Sequence, residues 1–123
     1  MKRSTARELA FKTIYSKFFN ADEEVDLIEQ DKEGLEFTAK ILKSFAANYD
    51  EINEIISSNL KGYTRERLFK IDLAIITLAV IELKFLKENP KEVIINEAVE
   101  LAKKYSTDKS PRFINGVLAD IVK

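Results

Sequence analysis

Apolar residues in this chain recur at helical spacing from end to end, and nowhere do they alternate as a half-buried strand would require. Ala10, Ile14 and Phe18 fall on one face of a first helix, which Ser4 or Thr5 is placed to cap and which is expected to end near Phe19-Asn20. Leu35, Ala39, Leu42 and Ala46 mark a second helix. Ile52, Ile55, Ile56 and Leu60 mark a third, with Asn48 to Asp50 as the junction and Gly62 as the stop. From Thr64 the pattern predicts a fourth helix to about Lys87, apolar on most of its circumference and therefore the axis of the core. Asn89-Pro90 ends it and begins a fifth, because proline lacks an N–H and disfavours helix at the residue before it, yet suits a first turn. That fifth helix turns Ile94, Ala98, Leu101, Ala102 and Tyr105 inward. Ser110-Pro111 repeats the cap-then-proline signal and opens a last helix with Ile114, Val117, Leu118 and Ile121 facing the core. The predicted fold is all-α, a compact bundle of about six to seven helices.

Composition narrows the chemistry. At 123 residues the chain is expected to be a single domain, 1–123, large enough for a core without disulfides or a structural metal. It has no cysteine and no histidine, which excludes thiol chemistry, the usual zinc sites and histidine acid-base catalysis. Its three glycines, Gly34, Gly62 and Gly116, lie too far apart for a phosphate-cradling loop. No catalytic residue, cofactor or metal is predicted. The stretch Leu68 to Leu86 is long enough to span a membrane, but Lys70, Asp72, Glu82 and Lys84 interrupt it, so it is read as buried protein helix. The opening residues carry no secretory signal, and a cytoplasmic location without membrane contact is expected.

A net charge of −1 hides an uneven distribution. Lys2, Arg3, Arg7, Lys12 and Lys17 stand against Glu8 alone at the start of the chain, and Lys103, Lys104, Lys109, Arg112 and Lys123 outnumber Asp108 and Asp120 at its end. Between them the run Asp22 to Glu33 is strongly acidic and reads as a solvated connection. Carboxylates such as Glu97 and Glu100 sit at helical spacing with lysines and read as ordinary solvated surface.

Two clusters combine cations with rings. Tyr15 lies at the edge of the first apolar face, one turn from Lys12 and two from Arg7. Lys109-Ser110-Pro111-Arg112-Phe113 stands at a helix start, where backbone N–H groups favour an anion. Basic side chains that displace counterions, beside rings that stack unpaired bases, are what single-stranded RNA requires. Taken singly, Tyr15 fits a boundary tyrosine and Phe113 fits the core at least as well. Co-location of the clusters would favour RNA.

The chain resembles the NusB transcription antitermination family over nearly its whole length. The resemblance rests on Ala6-Arg7-Glu8 and Tyr15, the segment Asp72 to Leu83, the stretch Ile95 to Lys103, and Phe113-Ile114-Asn115-Gly116-Val117-Leu118. It implies two small helical bundles and an adaptor that, with the ribosomal protein NusE, binds boxA RNA and joins the RNA polymerase antitermination complex, promoting read-through on ribosomal RNA operons. By resemblance the RNA surface falls on Lys2, Arg3, Arg7, Tyr15, Lys109 and Phe113, to which the charge argument adds Lys12 and Arg112. The NusE side falls on Glu66, Asp72 and Glu82, by charge complementarity with a basic protein. Asn96 is expected to close hydrogen bonds between the bundles. Ser4 and Thr5 stand where relatives carry more arginine, so fewer phosphates are neutralised. Ile76-Thr77 stands where Leu-Arg is common, which suggests a lost cation near the partner surface.

Other classes remain open at this stage. One is the helical accessory module of a ribosomal RNA cytosine methyltransferase system, against which stands the absence of a cofactor-binding domain before the chain ends at Lys123. Another is a protein-binding adaptor whose basic ends are only solvated surface. Whether the free chain is a monomer or a homodimer that hides its RNA surface is likewise open.

Overall fold

A computed structural model of the chain describes residues 3–19 and 32–123. Lys2 and residues 22–31 of the acidic connection lie outside the described residues, while Lys32 and Glu33 at its end belong to a helix. Six helices are present among the described ones: α1 (Arg3–Lys17), α2 (Lys32–Ala47), α3 (Tyr49–Ser58), α4 (Lys70–Val80), α5 (Lys91–Tyr105) and α6 (Ser110–Ile121). A short 3-10 turn, Arg65–Arg67, precedes α4, and a π-helical segment, Ile81–Leu86, continues it.

The hydrophobic spacing explains the packing. Ala6, Ala10, Phe11 and Ile14 of α1 meet Phe37, Ile41 and Phe45 of α2, while Ile94, Ala98 and Leu101 of α5 meet Ile114, Val117, Leu118 and Ile121 of α6. Both pairs pack against α4 and its extension, and α3 closes on α4 through Ile52 and Ile56. Every residue from Asp72 to Val80 is buried, so α4 is the shared axis of two small bundles. This is the all-helical arrangement that the resemblance implied. Among the described residues no helix is long and apolar enough to cross a membrane.

The fourth helix departs from expectation at its start, and reaches the expected far end in π-helical form. It begins at Lys70 rather than Thr64, because the positions one turn before Leu68 are Thr64 and Arg65, and no apolar stripe holds that stretch against the core. Instead Gly62 adopts a left-handed conformation (φ 77°), and Leu68, in extended backbone, inserts as a buried anchor. At the far end the helix widens, with the Lys87 N–H donating to the Glu82 carbonyl at 2.9 Å, and Lys87 itself is left-handed (φ 54°). Pro90 is the N-cap of α5, its carbonyl accepting from Val93 and Ile94, both at 3.1 Å.

The two serine caps are also replaced. Helix α1 already runs at Arg3, and the Ser4 hydroxyl donates across to Glu97 at 2.7 Å. Lys109, not Ser110, is the N-cap of α6, since the Ser110 hydroxyl is committed to Asp72.

Thr77 lies at the centre of α4, buried, which corrects the expectation that its position borders a partner surface. Its hydroxyl oxygen finds no hydrogen-bond partner. A buried, unsatisfied hydroxyl costs free energy that an isosteric methyl would not. Thr77→Val should therefore stabilise the fold by about 1 kcal/mol, seen as a higher urea midpoint at unchanged slope.

Candidate nucleic-acid interface

Arg7 ties α1 to distant segments and so sets the position of the other predicted site residues on that helix. It is buried, not a surface cation. Its Nε donates to Glu82 at 2.7 Å and its Nη2 to the other Glu82 oxygen at 2.9 Å, a bidentate pair. Nη1 reaches Glu97 at 3.4 Å. In the orientation that satisfies its amide, the Asn89 oxygen accepts from Arg7 Nη2 at 3.2 Å and from Arg3 Nη1 at 2.8 Å. Arg3 in turn pairs with Glu88 at 3.1 Å and lies 4.5 Å from the centre of the Phe37 ring. These contacts correct the expectation that Arg7 offers its charge to a phosphate and that Glu82, equally buried, faces a partner. Glu97 is likewise a tie between α1 and α5, whereas Glu100 pairs with Lys103 at 3.2 Å as surface spacing predicts.

Asp72 has a similar fate. One carboxylate oxygen accepts from the Ser106 hydroxyl at 2.5 Å and the other from the Ser110 hydroxyl at 3.0 Å, and Thr107 is linked to Ser110 at 2.8 Å. The side chain is only 4% exposed, so it is not a surface carboxylate for a protein partner, although it lines the cavity beside Lys109 and Phe113. Of the three acidic positions assigned to a partner, Glu66 alone is exposed. Asn96 is exposed as well, contrary to its expected place between the bundles.

The remaining cations stand on the outside. Lys12, Lys109 and Arg112 are exposed, while Tyr15 and Phe113 are half-buried against the core, each with part of its ring at the surface. Lys12 lies 5.4 Å from the centre of the Tyr105 ring, and Tyr105 is the last residue of α5, just before the turn that carries Lys109. Tyr105 also hydrogen-bonds Glu8, which is paired with Lys104 at 2.6 Å. Burial works against charge on Glu8, but the hydrogen bonds from Lys104 and Tyr105 outweigh it and hold this carboxyl below the ordinary carboxylate range. The tie is therefore intact at neutral pH and is lost as pH falls through that lowered range.

A third group joins the clusters, and the sequence reading passed over it. The connection 61–70 carries Lys61, Tyr63, Arg65, Arg67, Phe69 and Lys70 with only Glu66 opposing. Phe69 is 62% exposed and Tyr63 is 55% exposed. Arg65 lies 6.0 Å from the centre of the Phe18 ring at the end of α1, and Tyr63 meets Phe113 edge-on with ring centres 5.4 Å apart. Tyr15 meets Phe19, itself exposed, at 5.1 Å. Rings and cations thus run from the end of α1, across the connection, to the start of α6. The signal that would have found the third group is the interleaving of rings with Lys and Arg in a stretch without apolar periodicity.

A family model described as "NusB family" matches residues 4–123. Among curated proteins, the transcription antitermination protein NusB of Finegoldia magna is 38% identical over 130 residues, covering 100% of this chain and 95% of the relative. The protein of the same name from Listeria monocytogenes is 40% identical over 124 residues, covering 98% and 96%. Among solved structures, T. maritima NusB superposes with a TM-score of 0.90 at 34% identity, covering 98% of this chain and 92% of that one. A chain from the crystal structure of antitermination factors NusB and NusE in complex with dsRNA superposes with a TM-score of 0.85 at 28% identity, covering 97% and 94%.

Removing one partner of a buried ion pair strands the other, which typically destabilises by about 3–5 kcal/mol. Arg7→Ala should lose stability on that scale in urea unfolding, whereas Arg7→Leu combined with Glu82→Leu should lose far less. Equal losses from the single and double changes would show that the pair is not the unit that matters.

Proposed function

Because the chain belongs to the NusB family, we propose that it is a transcription antitermination factor that binds boxA-type RNA together with NusE and promotes read-through by RNA polymerase, notably on ribosomal RNA operons. One observation carries the RNA part of this reading. Rings and cations follow one another from Tyr15 and Phe19, through Phe18 and Arg65, to Tyr63 and Phe113, with Lys12 against Tyr105, which supports reading the two clusters as parts of one surface. The solved relative bound to NusE and dsRNA supports the same partners.

In this reading the chain acts as one RNA-binding domain in the cytoplasm and supplies no catalysis, consistent with its lack of histidine and cysteine. Lys2, Arg3, Lys12, Lys109 and Arg112 neutralise phosphate, Tyr15 and Phe113 stack bases, and Arg7 holds α1 in place beneath them. Glu66 is the carboxylate available to a basic protein partner, with Asp72 and Glu82 supporting the surface from within. A homodimer of the free chain would compete with RNA for this surface.

Two measurements test the proposal. Base stacking is worth about 1–3 kcal/mol per ring, so Tyr15→Ala with Phe113→Ala should weaken binding of a boxA-type RNA, with NusE present, by tenfold or more at unchanged helicity. Equal affinity for a scrambled RNA would defeat the reading. Changing Lys12, Lys109 and Arg112 together to Ala should flatten the dependence of log affinity on log salt by about 2, on the scale of roughly 0.7 per phosphate contact for single strands. An unaltered slope would remove these cations from the interface.

A further inference from the structure

The connection 61–70 does more than bridge the two clusters, for it walls a cavity of about 250 Å³ with Tyr63, Arg67 and Phe69 on one side and Lys109 and Phe113 on the other. Asp72 lines it as well, with Ser110 beside it. We propose that this cavity receives a single unstacked base of the bound RNA, and that Asp72 makes it select a base carrying an amino group over uracil.

The walls and the charges agree on the class of ligand. Tyr63 and Phe69 are too exposed to be serving the core, and with Phe113 they present ring surface on which a base can stack. Arg67 and Lys109 are exposed at the same cavity, where they would meet the phosphates on either side of an extruded base. A basic protein segment would be repelled by those two cations and by the neighbouring Lys61, Arg65 and Lys70.

The floor adds the selectivity. An ionised carboxylate is purely an acceptor and offers about four lone-pair sites. Ser106 and Ser110 each donate one hydrogen bond to Asp72, one to each oxygen. The sites that remain can accept from the exocyclic amine of cytosine or adenine, whereas uracil at the same edge presents a carbonyl that the carboxylate repels. The two hydroxyl hydrogen bonds oppose a rotation of Asp72 that would relieve that repulsion.

This inference rests on RNA binding as proposed above, so the experiment first establishes that the full-length wild-type chain with NusE binds a boxA-type RNA. Each base is then removed in turn by an abasic substitution. At one position the loss should weaken wild-type binding by about tenfold, and the Tyr63→Ala/Phe69→Ala variant, both of whose changes lie on the exposed connection, should be indifferent at that position only. Exchange of the base there between cytosine and uracil should favour cytosine for the wild type, and Asp72→Asn should move that ratio toward uracil. Abasic profiles that are identical in wild type and variant overturn the proposal. So does a variant that loses NusE in the absence of RNA while keeping the wild-type profile, which would make the cavity a protein-docking site. Failure of the wild type to bind RNA at all would instead remove the function from which this pocket follows.

Discussion

The buried pair between Arg7 and Glu82 sets the geometry on which the surface depends. Taking two charges out of water costs several kcal/mol per ion, and only bonds that satisfy most of their donors and acceptors offset it. Here the guanidinium meets Glu82 through two nitrogens and Glu97 through the third, with Asn89 alongside. A fork-to-fork pair is directional, so it fixes the rotation of α1 about its own axis as well as its distance from the π-helical segment. Lys12, Tyr15, Phe18 and Phe19 follow Arg7 along the same chain, and their directions follow from that rotation. The widening of the helix at Ile81–Leu86, where the Glu82 carbonyl accepts from Lys87, occurs beside the carboxylate that receives the arginine.

Asp72 plays the matching part at the other end of the axis. Through Ser106 and Ser110 it ties the first turn of α4 to the turn between α5 and α6, from which Lys109, Arg112 and Phe113 project. One central element therefore orients both basic ends of the chain, each by a carboxylate that reaches a distant segment. Apolar packing alone would leave each end freer to slide, since hydrophobic contact has no preferred direction.

Much of this was legible in the residues. The spacing of Ile94, Ala98 and Leu101 and of Ile114, Val117 and Leu118 marked faces that the fold does bury, and the continuous run after Asp72 marked the axis. What periodicity does not carry is the identity of a partner far along the chain. Arg7 and Glu82 are separated by 75 positions, so each looked like a solvated charge when seen with its neighbours alone. Ser110 resembled a cap because caps are local, and only the third dimension supplied the competing acceptor at Asp72. The segment from Thr64 to Phe69 reads as helix in the sequence because the long apolar run beside it dominates the pattern. Its rings and cations are the part of the candidate surface that local spacing concealed.

Leu68 gives that segment a particular freedom. It is the single buried residue between Lys61 and Phe69, and it enters the core by extended backbone, with exposed or half-exposed residues on both sides of it. A stretch pinned at one point can change most of its side chains without disturbing the packing below, because apart from Leu68 and the partly buried Arg65 they lie at the surface. Substitutions within that stretch can therefore alter what the outer face offers to a ligand while the helical frame beneath is left as it is.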